Sequence, residues 1–243
     1  MDSLFARHKS AVLQFSGGKD SLACLHLLRP WWEQITVLWC DTGDSFPETR
    51  RQMDVVLALV PHFLAIRSNQ PAQIEENGPP SDLLPVWDSP LGRQCDSSRT
   101  HRVQTPFSCC SANIWEPMGQ AVNDLRATLV IRGQRASDVK RSPIKSGTVV
   151  NGIEYWFPLE AWSEAEVRFF LEGMDVPLPE SYGYFNSSMD CMTCTAYLGE
   201  NVGKVRYLRE RYPLVHEVVK GRMAQINEAV QAEMDVMQKA MAA

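Results

Sequence analysis

The chain has 243 residues, 44% hydrophobic and 22% charged, with a net charge of −5. That size suits one large domain, or a domain with an appendage, and the negative balance excludes a surface that attracts nucleic acid as a whole, so any anion site must be a local patch. The opening MDSLFARHKS is too polar and too short for a signal peptide, and no apolar run approaches the ~20 residues of a membrane span. A cytoplasmic protein is expected, with its seven cysteines reduced and read for metal or catalysis before disulfides.

In chain order, Ala11 to Phe15 reads as a buried strand and Asp20 to Trp31 as a helix. Ile35 to Cys40 is a second strand. Pro47 to Val60 is a helix with proline well placed in its first turn. HFLAIRS forms a third strand. Residues 70–108 show little periodicity and hold prolines at 71, 79, 80, 85, 90 and 106, as expected of an irregular lid. Ser111 to Arg126 returns to helix, Ala127 to Gly133 is a strand, and EYWFPL is another. Ser163 to Glu166 has the form of a capping box opening AEVRFFLEGM. From Val202 the chain is helical, with a break near Pro213.

Strands alternating with helices imply a parallel twisted α/β sheet of about five strands, covered on both faces. The expected layout is an α/β domain over 1–200, with its lid at about 70–108, and a helical C-terminal extension over 201–243. Ligands of such sheets bind beyond the carboxyl ends of the strands, here after Phe15, Cys40 and Gly133.

Ser16-Gly17-Gly18-Lys19-Asp20-Ser21 lies between a strand and a helix. The two glycines bring bare backbone close to a ligand, and the helix start offers unpaired N–H groups. The serine hydroxyls and the Lys19 charge complete a cradle for phosphate or sulfate. The spacer of the common P-loop is missing. The plainer alternative, a tight polar turn, accounts for less of the hexapeptide.

Cys109 and Cys110 are adjacent, and Cys191 and Cys194 form Cys-x-x-Cys about eighty residues later. Four thiolates suit a [4Fe–4S] cluster or tetrahedral zinc. Neighbouring side chains diverge, which favours the separate corners of a cluster over one zinc ion. Cys24 and Cys40 sit in apolar runs and read as core.

SGGKDS resembles the loop of the PP-loop ATP pyrophosphatases, a Rossmann-like superfamily of adenine nucleotide alpha hydrolases. CDTGDSFPET is similar to a motif of one branch, the phosphoadenosine-phosphosulfate (PAPS) and adenosine-phosphosulfate (APS) reductase family. CCSANIWEPM and FPLEAWSEAEV are also similar to the cluster-bearing members. The resemblance covers about residues 10 to 195. It implies nucleotide contacts from Ser16 to Ser21, and from Asp41, Thr42 and Gly43 on the adenosine side. It also implies a cluster on Cys109, Cys110, Cys191 and Cys194. On residue chemistry alone, Asp41 is equally a cap or turn residue.

Two departures stand out. Where the family has a basic residue shortly after the cysteine pair, this chain has Asn113 and Ile114. The reductases also carry a catalytic cysteine in a C-terminal tail, and no cysteine follows Cys194 here. Cys95 is the spare loop thiol, a substitute nucleophile or an inert residue.

IRGQRASDVKRSPIK follows a strand tip and holds Arg132, Arg135, Lys140, Arg141 and Lys145. Arg135, after Gly133, falls where the family has an arginine, so it is assigned to the phosphate or sulfate. The others fit a ligand or a solvated loop equally. Trp87, Asp88, Arg93, Arg99, His101 and Arg102 in the lid either meet a nucleotide or nucleic acid or pack the lid on its own domain. Lys204, Arg206, Arg209 and Arg211 suggest one basic helical turn, or merely a solvated face.

The expected function is ATP-dependent adenylation and sulfur transfer, with Mg-ATP at Ser16 to Ser21 and Lys19, Asp20 and Arg135 as catalytic residues. A nucleic acid or metabolite is the acceptor. A sulfur-donor protein and a homo-oligomer are the expected partners. The alternatives are reduction of APS or PAPS, and a non-catalytic iron–sulfur subunit that binds nucleotide.

Overall fold

The computed structural model describes residues 1–138, 143–188, 191–199 and 202–243. Lys140 and Arg141 therefore lie outside the described residues. The parallel strands are β1 (Ala11–Gln14), β2 (Ile35–Asp41), β3 (Phe63–Arg67), β4 (Leu129–Ile131) and, beside β4, β6 (Ile153–Trp156). A short β5 (Val149–Val150) pairs antiparallel with β6 at the edge. The order is β3-β2-β1-β4-β6-β5, so the sheet has one more strand than the parallel set expected from sequence.

Side chains alternate across the strands and build two cores. Leu13, Val37, Leu129 and Ile131 face one side, with Leu22 and Leu25 of α2 (Lys19–Leu27), Met53 and Val56 of α3 (Pro47–Leu59), and Val167 and Leu171 of α8 (Glu164–Gly173). Val12, Leu38 and Val130 face the other side, with Ala121 and Val122 of α7 (Glu116–Asp124). Burial on both faces is what apolar runs such as AVL and LVI require. The Ser163–Glu166 capping box is formed at the start of α8.

Several boundaries differ from the sequence reading for identifiable reasons. Helix α2 stops at Leu27, and the chain tightens into a 3-10 turn over Arg29–Gln34, because Pro30 has no N–H to continue the ladder. An additional α1 (Asp2–Arg7) is held by Phe5, whose ring stacks on Trp31 at 5.1 Å. Residues 70–108 are less irregular than expected. They contain α4 (Gln70–Asn77) and α5 (Pro90–Cys95), and α6 (Pro106–Cys110) starts within them. Pro71, Pro90 and Pro106 sit in the first turns of these helices behind caps from Asn69, Ser89 and Thr105. Proline there opens a helix rather than preventing one.

Between α6 and α7 the helix widens into a π turn, Ser111–Trp115. Pro117 cannot donate to the carbonyl of Asn113, four residues back. That carbonyl instead accepts from Cys40 Sγ at 3.2 Å and Ser68 Oγ at 2.7 Å.

The C-terminal helices, α9 (Val202–Arg211) and α10 (Pro213–Met241), pack on the segment that follows β2. Phe46 is fully buried against Tyr207 and Tyr212. Glu48 Oε1 accepts both phenol hydroxyls, each at 2.5 Å. No helix among the described residues is long and apolar enough to cross a membrane.

Candidate nucleotide and cysteine site

The strand order reverses beside β1, with β2 on one flank and β4 on the other. Ligands of open α/β sheets bind in that crevice. The chain that leaves β1 there is Ser16–Ser21. Gly17 turns it with φ +80°, a conformation that other residues reach only with strain. Gly18 caps α2, and Ser21 Oγ donates back to its carbonyl at 2.9 Å. Ser16 Oγ accepts from the Gly18 N–H at 3.3 Å. The Lys19 N–H donates to Tyr182 Oη at 2.8 Å, so a neutral oxygen stands where a phosphate or sulfate oxygen would be received.

The expected catalytic residues come together. Lys19, 2% exposed, donates from Nζ to Asp20 Oδ2 at 2.8 Å. Arg135 Nε lies 3.0 Å from Asp20 Oδ1, an ion pair without hydrogen-bond alignment. The other end of Arg135 meets Asp138 Oδ1 at 3.0 Å, and Asp138 Oδ2 accepts the Arg135 N–H at 2.8 Å. Gly133 makes this possible. A Cβ there would stand 2.7 Å from the Asp20 carbonyl carbon and 2.8 Å from the Ser21 nitrogen. Only a bare α-carbon lets the β4 tip close on α2. Arg132 turns to the other face, where Nε donates to Gln14 at 2.6 Å and the guanidinium lies over the Tyr155 ring. Lys145 is exposed on the loop before β5.

Asp41, Thr42 and Gly43 follow β2. Asp41 Oδ1 accepts from the Gly43 N–H at 3.1 Å and Ser45 Oγ at 3.0 Å. This turn-forming role is the plainer of the two expected for it. A cleft beside the turn is lined by Ser16, Trp39, Cys40, Thr42, Ile114 and Met118 among others. Cys40 was read as core; it is buried, yet it also lines this cleft. Burial pushes its thiol up.

The cysteines stand against the same turn. Cys191 Sγ donates to Thr42 Oγ1 at 3.3 Å, and Ser45 bridges Cys191. Asp44 Oδ2 accepts from the Thr193 N–H at 2.8 Å and its Oγ1 at 2.6 Å, tying the Cys-x-x-Cys loop to the β2 turn. Cys109 and Cys191 are buried, and Cys110 and Cys194 are half-buried. Burial pushes Cys109 up to about 12, and the charge of nearby Cys194 adds to this.

Among the described residues, no three His, Cys, Asp or Glu side chains close around a single metal ion. The donor set fits a thiolate-held cluster better, because a cluster takes its ligands at separate corners and is stabilised by hydrogen bonds to sulfur. Such donors are present. Asn113 Nδ2 lies 3.8 Å from Cys109 Sγ, and the Ala196 N–H lies 3.4 Å from Cys194 Sγ.

Two cations reach this region from the C-terminal helices. Lys204 Nζ donates to the Cys191 carbonyl at 2.7 Å and approaches that of Cys194 at 3.4 Å. Arg222 donates to Thr193 O at 2.8 Å and Oγ1 at 2.5 Å. Lys204 therefore leaves the solvated basic turn expected from sequence, whereas Arg206 stays exposed over the Tyr184 ring and Arg211 pairs with Glu180.

Tyr182 and Arg222 belong to no recognisable local motif, whereas Asp44 lies inside CDTGDSFPET and Asp138 inside IRGQRASDVKRSPIK, where the sequence assigns neither a role. The lid residues pair among themselves and with neighbouring helices. Arg93 donates to the Asp88 carbonyl, His101 Nδ1 lies 3.9 Å from Asp88, and Arg99 pairs with Glu233 of α10. Trp87 is exposed, Arg102 donates to the Glu76 carbonyl, and Cys95 is exposed at the end of α5.

An α/β sheet with a glycine loop and a helix start at its switch point is an arrangement that receives anionic ligands. Residues 10–197 match the phosphoadenosine phosphosulfate reductase domain, and the chain belongs to that family. It is 24% identical over 202 residues to an adenosine 5'-phosphosulfate reductase of Burkholderia cepacia, covering 80% of this chain and 75% of that one. It is 25% identical over 203 residues to the enzyme of the same name from Allochromatium vinosum, covering 82% and 73%. The phosphoadenylyl-sulfate reductase of Candida auris shares the fold, with a TM-score of 0.50 at 19% identity over 74% of this chain and 80% of that one.

Proposed function

We propose that the protein is a sulfur-metabolism enzyme that adenylates an acceptor with ATP and then transfers sulfur to it. The observation that carries this reading is the Lys19–Asp20–Arg135 group at the Ser16–Ser21 loop, with the Cys191–Cys194 loop tied to the neighbouring β2 turn.

Lys19 and the start of α2 are suited to hold the charge that develops on pyrophosphate as it leaves the α phosphate of Mg-ATP. Asp20 orients both cations. Arg135 is suited to the α-phosphoryl oxygens once a ligand competes with Asp20 for it. An acceptor oxygen attacks the α phosphate and pyrophosphate leaves; sulfide-level sulfur from a donor then attacks the acceptor carbon, and AMP leaves carrying the acceptor oxygen. Cys109, Cys110, Cys191 and Cys194 would hold a [4Fe–4S] cluster, which with a thiolate on every iron would supply an electron-buffering centre; the lack of an open iron for sulfur counts against its carrying the sulfur itself. A nucleic acid or a metabolite is the acceptor class.

One feature of the cleft supports transfer. Its one lining thiol, Cys40, is buried and donates to the Asn113 carbonyl, which holds it as a thiol rather than a nucleophile. The names of the similar proteins support a second reading, reduction of APS or PAPS to sulfite.

Anaerobic calorimetric titration with Mg-ATP, APS and PAPS separates the two, with assays for pyrophosphate and sulfite. Tight ATP binding with pyrophosphate release is expected. Tight APS or PAPS binding with sulfite release would establish the reductase. Binding of nucleotide with no turnover in either assay would leave a non-catalytic subunit. No binding at all would remove the nucleotide role of SGGKDS.

A further inference from the structure

Arg222 lies on α10, outside the matched residues 10–197. Its guanidinium makes two hydrogen bonds to Thr193, a residue between Cys191 and Cys194. Cys194, Cys109 and Cys191 all lie within its electrostatic reach, and so does Asp44. Asp44 is already engaged by the Thr193 N–H and hydroxyl.

The position next to the cysteine pair offers no charge. Asn113 reaches Cys109 with a neutral amide, and Ile114 has nothing to offer. Lys204 directs its ammonium to the backbone carbonyls of the loop. A four-thiolate cluster is a net anion, and an anion in a partly buried site is stabilised by a fixed cation. The half-buried guanidinium is offset first by the Asp44 carboxylate, and charged sulfurs on the loop it holds would add to that attraction.

We infer that Arg222 is a positioning residue of the cysteine site. It fixes the Cys191–Cys194 loop and supplies, from α10, the positive charge missing beside Cys109–Cys110. This rests on the reading that the four cysteines hold a cluster.

The test uses the full chain reconstituted anaerobically with iron and sulfide, as wild type, Arg222→Gln and Arg222→Lys. Glutamine removes the charge and shortens the side chain, so melting of the iron-free protein reads any lost bond to Thr193 separately from the charge. The readouts are iron release to a chelator, the midpoint potential of the cluster, and melting of the iron-free protein. Arg222→Gln is expected to release iron about tenfold faster and to be harder to reduce by about tenfold in the equilibrium, which is about 59 mV for one electron. Melting of its iron-free form should be unchanged, and Arg222→Lys should restore both cluster properties. Wild-type behaviour of Arg222→Gln would overturn the assignment. So would an equal defect in Arg222→Lys with lowered iron-free melting, since that marks a purely structural bond. A wild type that takes up no iron would instead remove the cluster reading beneath it.

Discussion

Asp20 stands between two cations, and Arg135 stands between two carboxylates. This chain of charges is nearly enclosed, with Arg135 only 7% exposed. Removing one member leaves another unpaired in a poorly solvated place, which typically costs about 3–5 kcal/mol. Arg135→Gln is therefore expected to lower the melting temperature as well as nucleotide affinity. Lys19→Met is expected to weaken nucleotide binding by about tenfold or more, ~1.4 kcal/mol, as read by calorimetry. Gly133→Ala carries no charge change but drives a methyl group into the Asp20 backbone. It should cost about 1–3 kcal/mol by denaturant unfolding and loosen the anion loop with it.

A second buried carboxylate behaves in the opposite way. Asp88 is 1% exposed, and neither of its oxygens has a hydrogen-bond donor. Burial pushes its carboxyl up, against the pull of His101, Arg99 and Arg93. A carboxyl raised in the folded state favours folding at low pH, and that advantage is lost as pH rises through the folded value. Asp88→Asn should therefore raise the melting temperature at pH 7, by about 1 kcal/mol in stability, with the gain shrinking towards pH 4. Equal melting of the two proteins at pH 7 would show that His101 already compensates the charge.

At the scale of elements, the FPET segment has a structural task besides its place in the motif. Phe46 and Glu48 hold the junction of α9 and α10 through Tyr207 and Tyr212. Burial pushes the Glu48 carboxyl up, but the two phenol hydrogen bonds outweigh it and leave the group below its usual range. A lowered carboxyl contributes stability above its unfolded value, and that contribution is lost as pH falls through the folded one. Glu48→Ala is expected to destabilise the protein by about 1.5–3 kcal/mol at pH 7. The difference from wild type should narrow below pH 4 in a pH series of thermal melts.

Most of the sheet was legible because strands and their following turns are local patterns. AVLQFSGGKDS carries its own apolar run, break and helix start. The helices inside 70–108 were not legible, since the same prolines that signal a break also open α4, α5 and α6. The π turn depends on one missing N–H at Pro117 whose effect appears four residues earlier.

At the scale of the whole molecule, the candidate site draws on segments far apart in sequence. Its cysteine half meets the nucleotide half at Thr42, Asp44 and Ser45. Tyr182 enters the anion loop and Arg222 the cysteine loop from segments with no signal of their own, and only tertiary packing brings them in. Asp138 is local, three residues from Arg135. Ser16 to Ser21 and the four cysteines were visible because each is a compact pattern of unusual residue types.

Asp44 gives the two halves a shared handle. Its carboxylate grips Thr193 from the turn that borders the nucleotide cleft. Binding free energies are reciprocal, so whatever factor nucleotide imposes on occupancy of the cysteine site, that occupancy imposes on nucleotide. Exposure to air, which strips such centres, would then be felt as weakened nucleotide binding. Saturating nucleotide would raise the equilibrium affinity of the cysteine site for its occupant by the same ratio. In Asp44→Asn that ratio should fall towards one, so the protein would lose its sensitivity to oxygen in the nucleotide site before it lost the ability to bind there.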